Sequence, residues 1–210
     1  MSLKWLPNAV TIARCVLAIV VGYTILDLDI QLRSGDPATL GLFFPFALFV
    51  IAAASDWVDG ALARGLNAES AFGARLDPIA DKLLAASSLL ALCHLERWSW
   101  IITVPAIAII ARDVLITAMR EAMGNPGSMK VSNAAKWKTA IILSGIGAIL
   151  FGLAVSEYAH TADPYSPVWV LTRGVLLIGI LMVWVSAALA VMTAWDYVAG
   201  ASEKPDEPYQ

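Results

Sequence analysis

Apolar residues along this chain come in long unbroken runs, not in the alternation of a half-buried strand. Six runs are read as helices, at roughly 9–26, 38–64, 71–95, 99–122, 134–155 and 167–197, each near the length of about 20 residues that crosses a bilayer core. The predicted class is all-α, a polytopic membrane protein with six transmembrane helices. The third run opens on a polar stretch containing Asp77 and Asp81, so it crosses only if that start faces protein and not lipid. Ahead of the first run, "LKWLPN" (Leu3 to Asn8) reads as a short interfacial segment, because Lys and Trp anchor chains at the headgroup boundary.

Composition supports the membrane reading. The chain is 59% hydrophobic and only 15% charged, with mean hydropathy +0.72, where a soluble domain carries about a quarter charged residues. The length of 210 residues suits one membrane domain, read as 1–200, followed by a disordered tail, 201–210, "ASEKPDEPYQ". No cleaved signal peptide is expected, since the first run contains Arg14 and no small-residue cleavage pattern follows it. A net charge of −3 and a pI near 5.3 argue against nucleic acid as a partner. Cys15 and Cys93 stand apart within apolar runs and are read as buried packing residues. His94 and His160, near helix ends, are given no catalytic or metal role. The glycines of "SGIGAILFG" (Gly145, Gly147, Gly152) are read as helix contacts. The eight tryptophans are read as interface anchors.

The polar connections differ in charge. "DLDIQLRSGDPA" (27–38), "LERW" (95–98) and "SEYAHTADPYSP" (156–167) carry acids, with Arg33, Arg97 and Arg173 the bases on that side. The opposite side holds Lys4, Arg64, Arg75, Lys82, Arg120, Lys130, Lys136, Lys138 and Lys204. Basic loops stay in the cytoplasm. Both termini and the 56–81 stretch are therefore expected at the cytoplasmic face of an inner membrane.

That stretch, "SDWVDGALARGLNAESAFGARLDPIADK", is the chemical puzzle. It places Asp56, Asp59, Asp77 and Asp81 in an otherwise apolar chain. Asp56 and Asp59 are three apart, Asp77 and Asp81 four apart, so on helices each pair shares a face. A short turn near "GLNAES" lets the two helices pack antiparallel and bring the four carboxylates to one depth. Like charges this close raise one another's pKa, and a divalent cation relieves the conflict. Carboxylate oxygens suit Mg²⁺ or Mn²⁺, and four of them can hold two ions, as in many phosphoryl-transfer sites. Ordinary loop acids are the plain alternative, but Asp56 and Asp59 directly follow "FALFVIAAAS". Gly60, Ala63 and Gly73 leave bare backbone where a bulky ligand can approach, or where helices pack closely. Arg64 suits a phosphate or a headgroup anchor equally.

Asp56-x2-Asp59-Gly60-x2-Ala63-Arg64-x8-Gly73-x3-Asp77-x3-Asp81 resembles the signature of the CDP-alcohol phosphatidyltransferase family. The resemblance covers most of the chain, since that family is built on six membrane helices. It implies that Asp56, Asp59, Asp77 and Asp81 hold two divalent metals. It also implies that the metals bind the pyrophosphate of a CDP-linked lipid, and that Asp81 is the general base. Gly60, Ala63, Arg64 and Gly73 would line the CDP-lipid site beside Asp56. Asn8 and Thr11 lie on one side of the first helix and are either cap and packing residues or contacts to that site. A homodimer is the assembly the resemblance implies.

The acceptor is a separate question. "WLPNAVTIAR" (5–14) and "ARDVLITAMREAMGNPGSMKVSNAAKWKTAI" (111–141) resemble the members of that family that make phosphatidylglycerophosphate, although position 113 is Asp where Glu is more usual. Arg112 and Arg120 are eight apart, close to one helix face, and Lys136 and Lys138 open the next helix on the same membrane side. Four cations there suit an acceptor that carries a phosphate of its own. Simple positive-inside topology is the alternative, but Arg112 follows "AIAIIA", deeper than topology requires. The expected substrates are thus CDP-diacylglycerol and sn-glycerol 3-phosphate, with membrane lipid around them. A cardiolipin synthase of the same family is the nearest rival, and a phosphatidylinositol-phosphate or phosphatidylserine synthase stands further off. A divalent-cation transporter is the rival of another class, but transit sites favour acids near the bilayer midplane.

Overall fold

The structure is a computed structural model. It describes residues 6–34, 39–66, 71–122, 133–160, 163 and 165–202, with side chains for 11–31, 33, 41–55, 82–119, 137–156, 163 and 165–195. The described residues form six helices: α1 (Leu6–Ser34), α2 (Thr39–Leu66), α3 (Ala71–Leu95), α4 (Trp100–Ala122), α5 (Asn133–His160) and α6 (Pro167–Ser202). No strand occurs among them. Four contain stretches long and apolar enough to cross a membrane: Thr11–Gln31, Trp100–Met119, Trp137–Ser156 and Pro167–Trp195. The described apolar segments of α2 and α3, Gly41–Ser55 and Lys82–Leu95, are shorter. The helix count thus agrees with the sequence reading, while six full crossings are more than the described residues demonstrate.

Two boundaries correct the sequence reading. α1 continues through most of the acidic 27–38 segment, because two i,i+4 pairs hold it helical. Gln31 Nε2 donates to Asp27 Oδ2 at 2.7 Å, and Arg33 Nε reaches both Asp29 oxygens at 2.8 Å. α5 likewise runs on to His160, taking in the first residues of the expected 156–167 loop. α6 includes positions 201 and 202, and the rest of the expected tail, 203–210, lies outside the described residues. So does the interfacial segment up to residue 5.

Short polar signals end and start the helices elsewhere. Trp98 N–H donates to Cys93 O at 2.7 Å and Arg97 N–H to His94 O at 3.0 Å, with Arg97 at φ 51°. That is a Schellman C-cap built on a non-glycine residue. Ser99 O accepts from Thr103 N–H at 2.9 Å, so α4 starts at once. Ser166 Oγ accepts from Trp169 N–H at 3.3 Å and Pro167 opens α6, a side-chain N-cap followed by proline at the first helical position.

The core is apolar. Val21, Ile25, Leu89, Leu92, Ile146 and Val183 are wholly buried. α1 lies against α3 and α5 against α6 as the two most extensive pairs. Ser87 Oγ of α3 donates to Ala18 O of α1 at 2.7 Å. Gly145 and Gly179 meet backbone to backbone: a Cβ at Gly179 would stand 2.9 Å from Gly145 O. The reading of Gly145 and Gly152 as helix contacts therefore holds, the latter facing Leu176, whereas Gly147 has only Phe49 at 3.6 Å. Among the described residues α2 leans on α1 and α5 and touches α3 little; the side chains of 56–81, where α2–α3 hairpin packing is expected, lie outside the described residues. Cys93 is buried as expected; Cys15 is only half-buried, on a helix whose outer positions Ile12, Val16 and Ile19 are exposed. Trp98, Trp100, Trp137 and Trp195 are exposed, as interface anchors would be, but Trp184 sits mid-helix and donates to Ile101 O at 2.9 Å.

Candidate functional site

The described part of the site is a polar network inside an apolar bundle. Asp113 lies in the α4 span and Lys138 in the α5 span. Asp113 Oδ1 accepts from Arg112 Nη1 at 3.1 Å and from Lys138 Nζ. The backbone oxygen of Asp113 accepts from Thr117 Oγ1 at 2.7 Å and from Lys82 Nζ at 3.3 Å. Lys82 Nζ also donates to Thr117 Oγ1. Ser186 Oγ of α6 donates to Lys138 O at 3.4 Å. Four helices are therefore tied together at one depth.

This network is sheltered. The side chains of Arg112, Asp113 and Lys138 are 15%, 16% and 6% exposed. Among the described residues Arg112 and Lys138 share a single carboxylate, in a setting where low dielectric makes charge expensive. Arg112 Nε is buried and has no hydrogen-bond partner. Two sheltered cations with a buried unused donor are chemically able to receive an anion.

The backbone connects this pocket to the aspartate signature. Lys82 follows Asp81 directly, so their Cα atoms are about 3.8 Å apart, and Asp77 precedes Asp81 by one helical turn on α3. Asp56, Asp59, Gly60, Ala63 and Arg64 belong to the last turns of α2, and Gly73 to the first turn of α3. The side chains of Asp56, Asp59, Asp77 and Asp81 lie outside the described residues, as do those of Arg64, Asn8, Arg120 and Lys136. The structure thus brings together Arg112 and Lys138 of the predicted site and leaves the convergence of the aspartates outside its description. Thr11 is buried on α1, at 5% exposure, which suits packing as well as ligand contact. Among the described residues no group of three or more His, Cys, Asp or Glu could hold a metal.

Sequence reasoning missed three members of the network. In the sequence Lys82 reads only as a topology charge, Asp113 only as an unusual match, and Thr117 carries no site reading. A signal did exist: an acid, and a hydroxyl four residues on, inside the apolar run "AIIARDVLIT". His94 has a modest role, its Nε2 lying 3.9 Å from Asp29 Oδ2.

A groove of about 380 Å³ runs beside the network between α3 and α4, with Lys82, Asp113 and Thr117 at its polar part and Ala85, Ala86 and Ile110 in its apolar wall.

The profile of the CDP-alcohol phosphatidyltransferase family matches residues 4–195. The chain belongs to this family. A CDP-diacylglycerol--glycerol-3-phosphate 3-phosphatidyltransferase of Cereibacter sphaeroides is 31% identical over 93% of this chain and 95% of its own length. The enzyme of the same name from Wigglesworthia glossinidia brevipalpis is 33% identical, over 77% of this chain and 80% of its own. A rice protein named cardiolipin synthase (CMP-forming) is 35% identical, over 72% of this chain and 46% of its own. Membership makes the chain a phosphatidyltransferase.

Proposed function

We propose that this enzyme transfers the phosphatidyl group of CDP-diacylglycerol to sn-glycerol 3-phosphate, releasing phosphatidylglycerophosphate and CMP. The observation that carries the acceptor is the buried pair Arg112 and Lys138 on one carboxylate, with Arg112 Nε unpartnered. A phosphate monoester, with charge near −2, answers such a pair of cations better than a neutral alcohol does. The names of the two relatives matched over most of their own length agree with this acceptor.

In this reading Arg112 and Lys138 hold the acceptor phosphate, joined by Arg120 and Lys136. Asp81 takes the proton of the glycerol 1-hydroxyl. That oxygen attacks the lipid-linked phosphorus in line, a new P–O bond forms, and the bond to the CMP oxygen breaks. Gly60, Ala63, Arg64 and Gly73, with Asn8 and Thr11, face the CDP-lipid. Asp56, Asp59, Asp77 and Asp81 are chemically suited to two Mg²⁺ or Mn²⁺ ions: all are hard oxygen donors, in i,i+3 and i,i+4 pairs on helices whose ends are four residues apart. Such ions supply neutralisation of the pyrophosphate charge. The site would open to the cytoplasmic face of an inner membrane crossed six times, with both termini on that face, in a homodimer.

CMP release from CDP-diacylglycerol by purified protein, across a panel of acceptors, tests this reading. Release with glycerol 3-phosphate, and none with phosphatidylglycerol, is the expected result. The reverse pattern would establish a cardiolipin synthase, the reading that the rice relative favours.

A further inference from the structure

We propose that Asp113 is a positioning residue that sets the geometry of the acceptor-phosphate cations, an inference that rests on the acceptor reading above. Its carboxylate is shared by cations from two helices. Arg112 Nη1 and Lys138 Nζ both reach Oδ1, which brings the guanidinium of α4 and the ammonium of α5 together at one oxygen. Two cations do not approach one another in a sheltered setting unless an anion lies between them.

The pairing also decides which edge of Arg112 is left for a ligand. Asp113 engages Nη1 and leaves the Nε–Nη2 edge, whose Nε is buried without a partner. That edge is a two-donor fork matched to a phosphate or carboxylate. Asp113 thus orients the fork and does not occupy it. An ion pair serving stability alone would not need to leave a buried donor unused on the same side chain, since such a donor costs about 1–3 kcal/mol.

The backbone of Asp113 does a second job. Its oxygen accepts from Thr117 Oγ1 and from Lys82 Nζ, so α3 is hooked to α4 one residue after Asp81. The residue that orders the acceptor cations is therefore also where α3, carrying Asp81, is fastened. Asp113 thereby links the cations of α4 and α5 to the helix that carries Asp81.

Steady-state kinetics on the full-length protein in detergent with lipid tests the proposal, with CDP-diacylglycerol and glycerol 3-phosphate varied separately. Wild-type turnover with glycerol 3-phosphate comes first; its absence refutes the functional reading, whatever Asp113 does. Given that turnover, D113N should raise KM for glycerol 3-phosphate about tenfold or more, the scale of one charge-assisted contact, and leave KM for CDP-diacylglycerol within about twofold. D113E should recover most of the loss, because it restores the shared anion. K138Q should cost much less in the D113N background than in wild type, since the ammonium is already released there. Equal changes in both KM values, a fall in kcat alone, or additive losses in the double variant would overturn the proposal. If D113N does not fold, D113N/K138Q, which removes both buried charges together, takes its place. A KM for glycerol 3-phosphate above that of K138Q alone, with KM for CDP-diacylglycerol unchanged, then supports the assignment, and a value equal to that of K138Q overturns it.

Discussion

Adding a single methyl group at Gly179 should loosen the α5–α6 pair, and the cost follows from three distances. A Cβ there would lie 2.8 Å from Ile149 Cγ1, 2.9 Å from Gly145 O and 3.0 Å from Ile149 N. Two of those atoms are backbone, so no rotamer change relieves the contact. Reaching ordinary contact near 3.4 Å requires the helices to part by about half an ångström. Overpacking of this kind costs about 1–3 kcal/mol, set against the up to about 1 kcal/mol that alanine gains over glycine in a helix. Gly179→Ala should therefore be destabilising by about 0–2 kcal/mol. Gly174→Ala, on the same helix with nothing within 4 Å, should be neutral or stabilising. Gly147→Ala should behave like Gly174→Ala, because its new methyl meets only Phe49 at 3.6 Å. Thermal midpoints of the purified variants in one detergent give the ranking. Gly179→Ala as stable as Gly174→Ala would refute the argument that backbone contact at this crossing holds the two helices together.

Three further outcomes concern the site. Lys138→Met and Arg112→Ala should each raise KM for glycerol 3-phosphate by about 10- to 150-fold, the equivalent of 1.5–3 kcal/mol per charge-assisted contact, and leave KM for CDP-diacylglycerol nearly unchanged; wild-type acceptor affinity in both would remove the phosphate pocket. Asp56→Asn or Asp77→Asn should abolish turnover in a protein that still folds, and excess chelator should silence the wild type, so that full activity in chelator would dismiss the metal. A cysteine at Gly65, in a background lacking Cys15 and Cys93, should be shielded from an impermeant thiol reagent in intact cells and one at Ser34 labelled, the opposite pattern reversing the topology.

The helices were legible because hydrophobic runs of this length leave few other folds, and because each run is one helix. The helix ends were less so. The run of Asp27, Asp29, Gln31 and Arg33 looks like a loop by polarity, yet its i,i+4 spacing is what keeps α1 helical to Ser34. Polarity and periodicity pointed in different directions there, and periodicity prevailed. The extensive α1–α3 pairing could not be read from the order of the runs, since α2 stands between them in the chain and neighbours in sequence need not be the largest packing partners.

The same distinction explains why Asp113 escaped notice. The aspartate signature is local, since its spacings alone place each pair on one face of one helix. The network around Asp113 is not, since Lys138 reaches Asp113 only because α4 and α5 are both seated in one register on α6, with Ser186 of α6 bonded to the lysine's backbone. No spacing along the chain encodes that register. Yet the two sets of residues share one element. α3 carries Asp77 and Asp81 in the signature, and its next residue, Lys82, is fastened to Asp113 and Thr117 of α4. On the proposed reading, substitutions in α4 and α5 would alter which acceptor binds while the donor chemistry along α2 and α3 stays as it is. In such an arrangement a signature identifies the CDP-linked donor and is silent on the acceptor. Relatives named for different acceptors can therefore lie at similar identity to this chain.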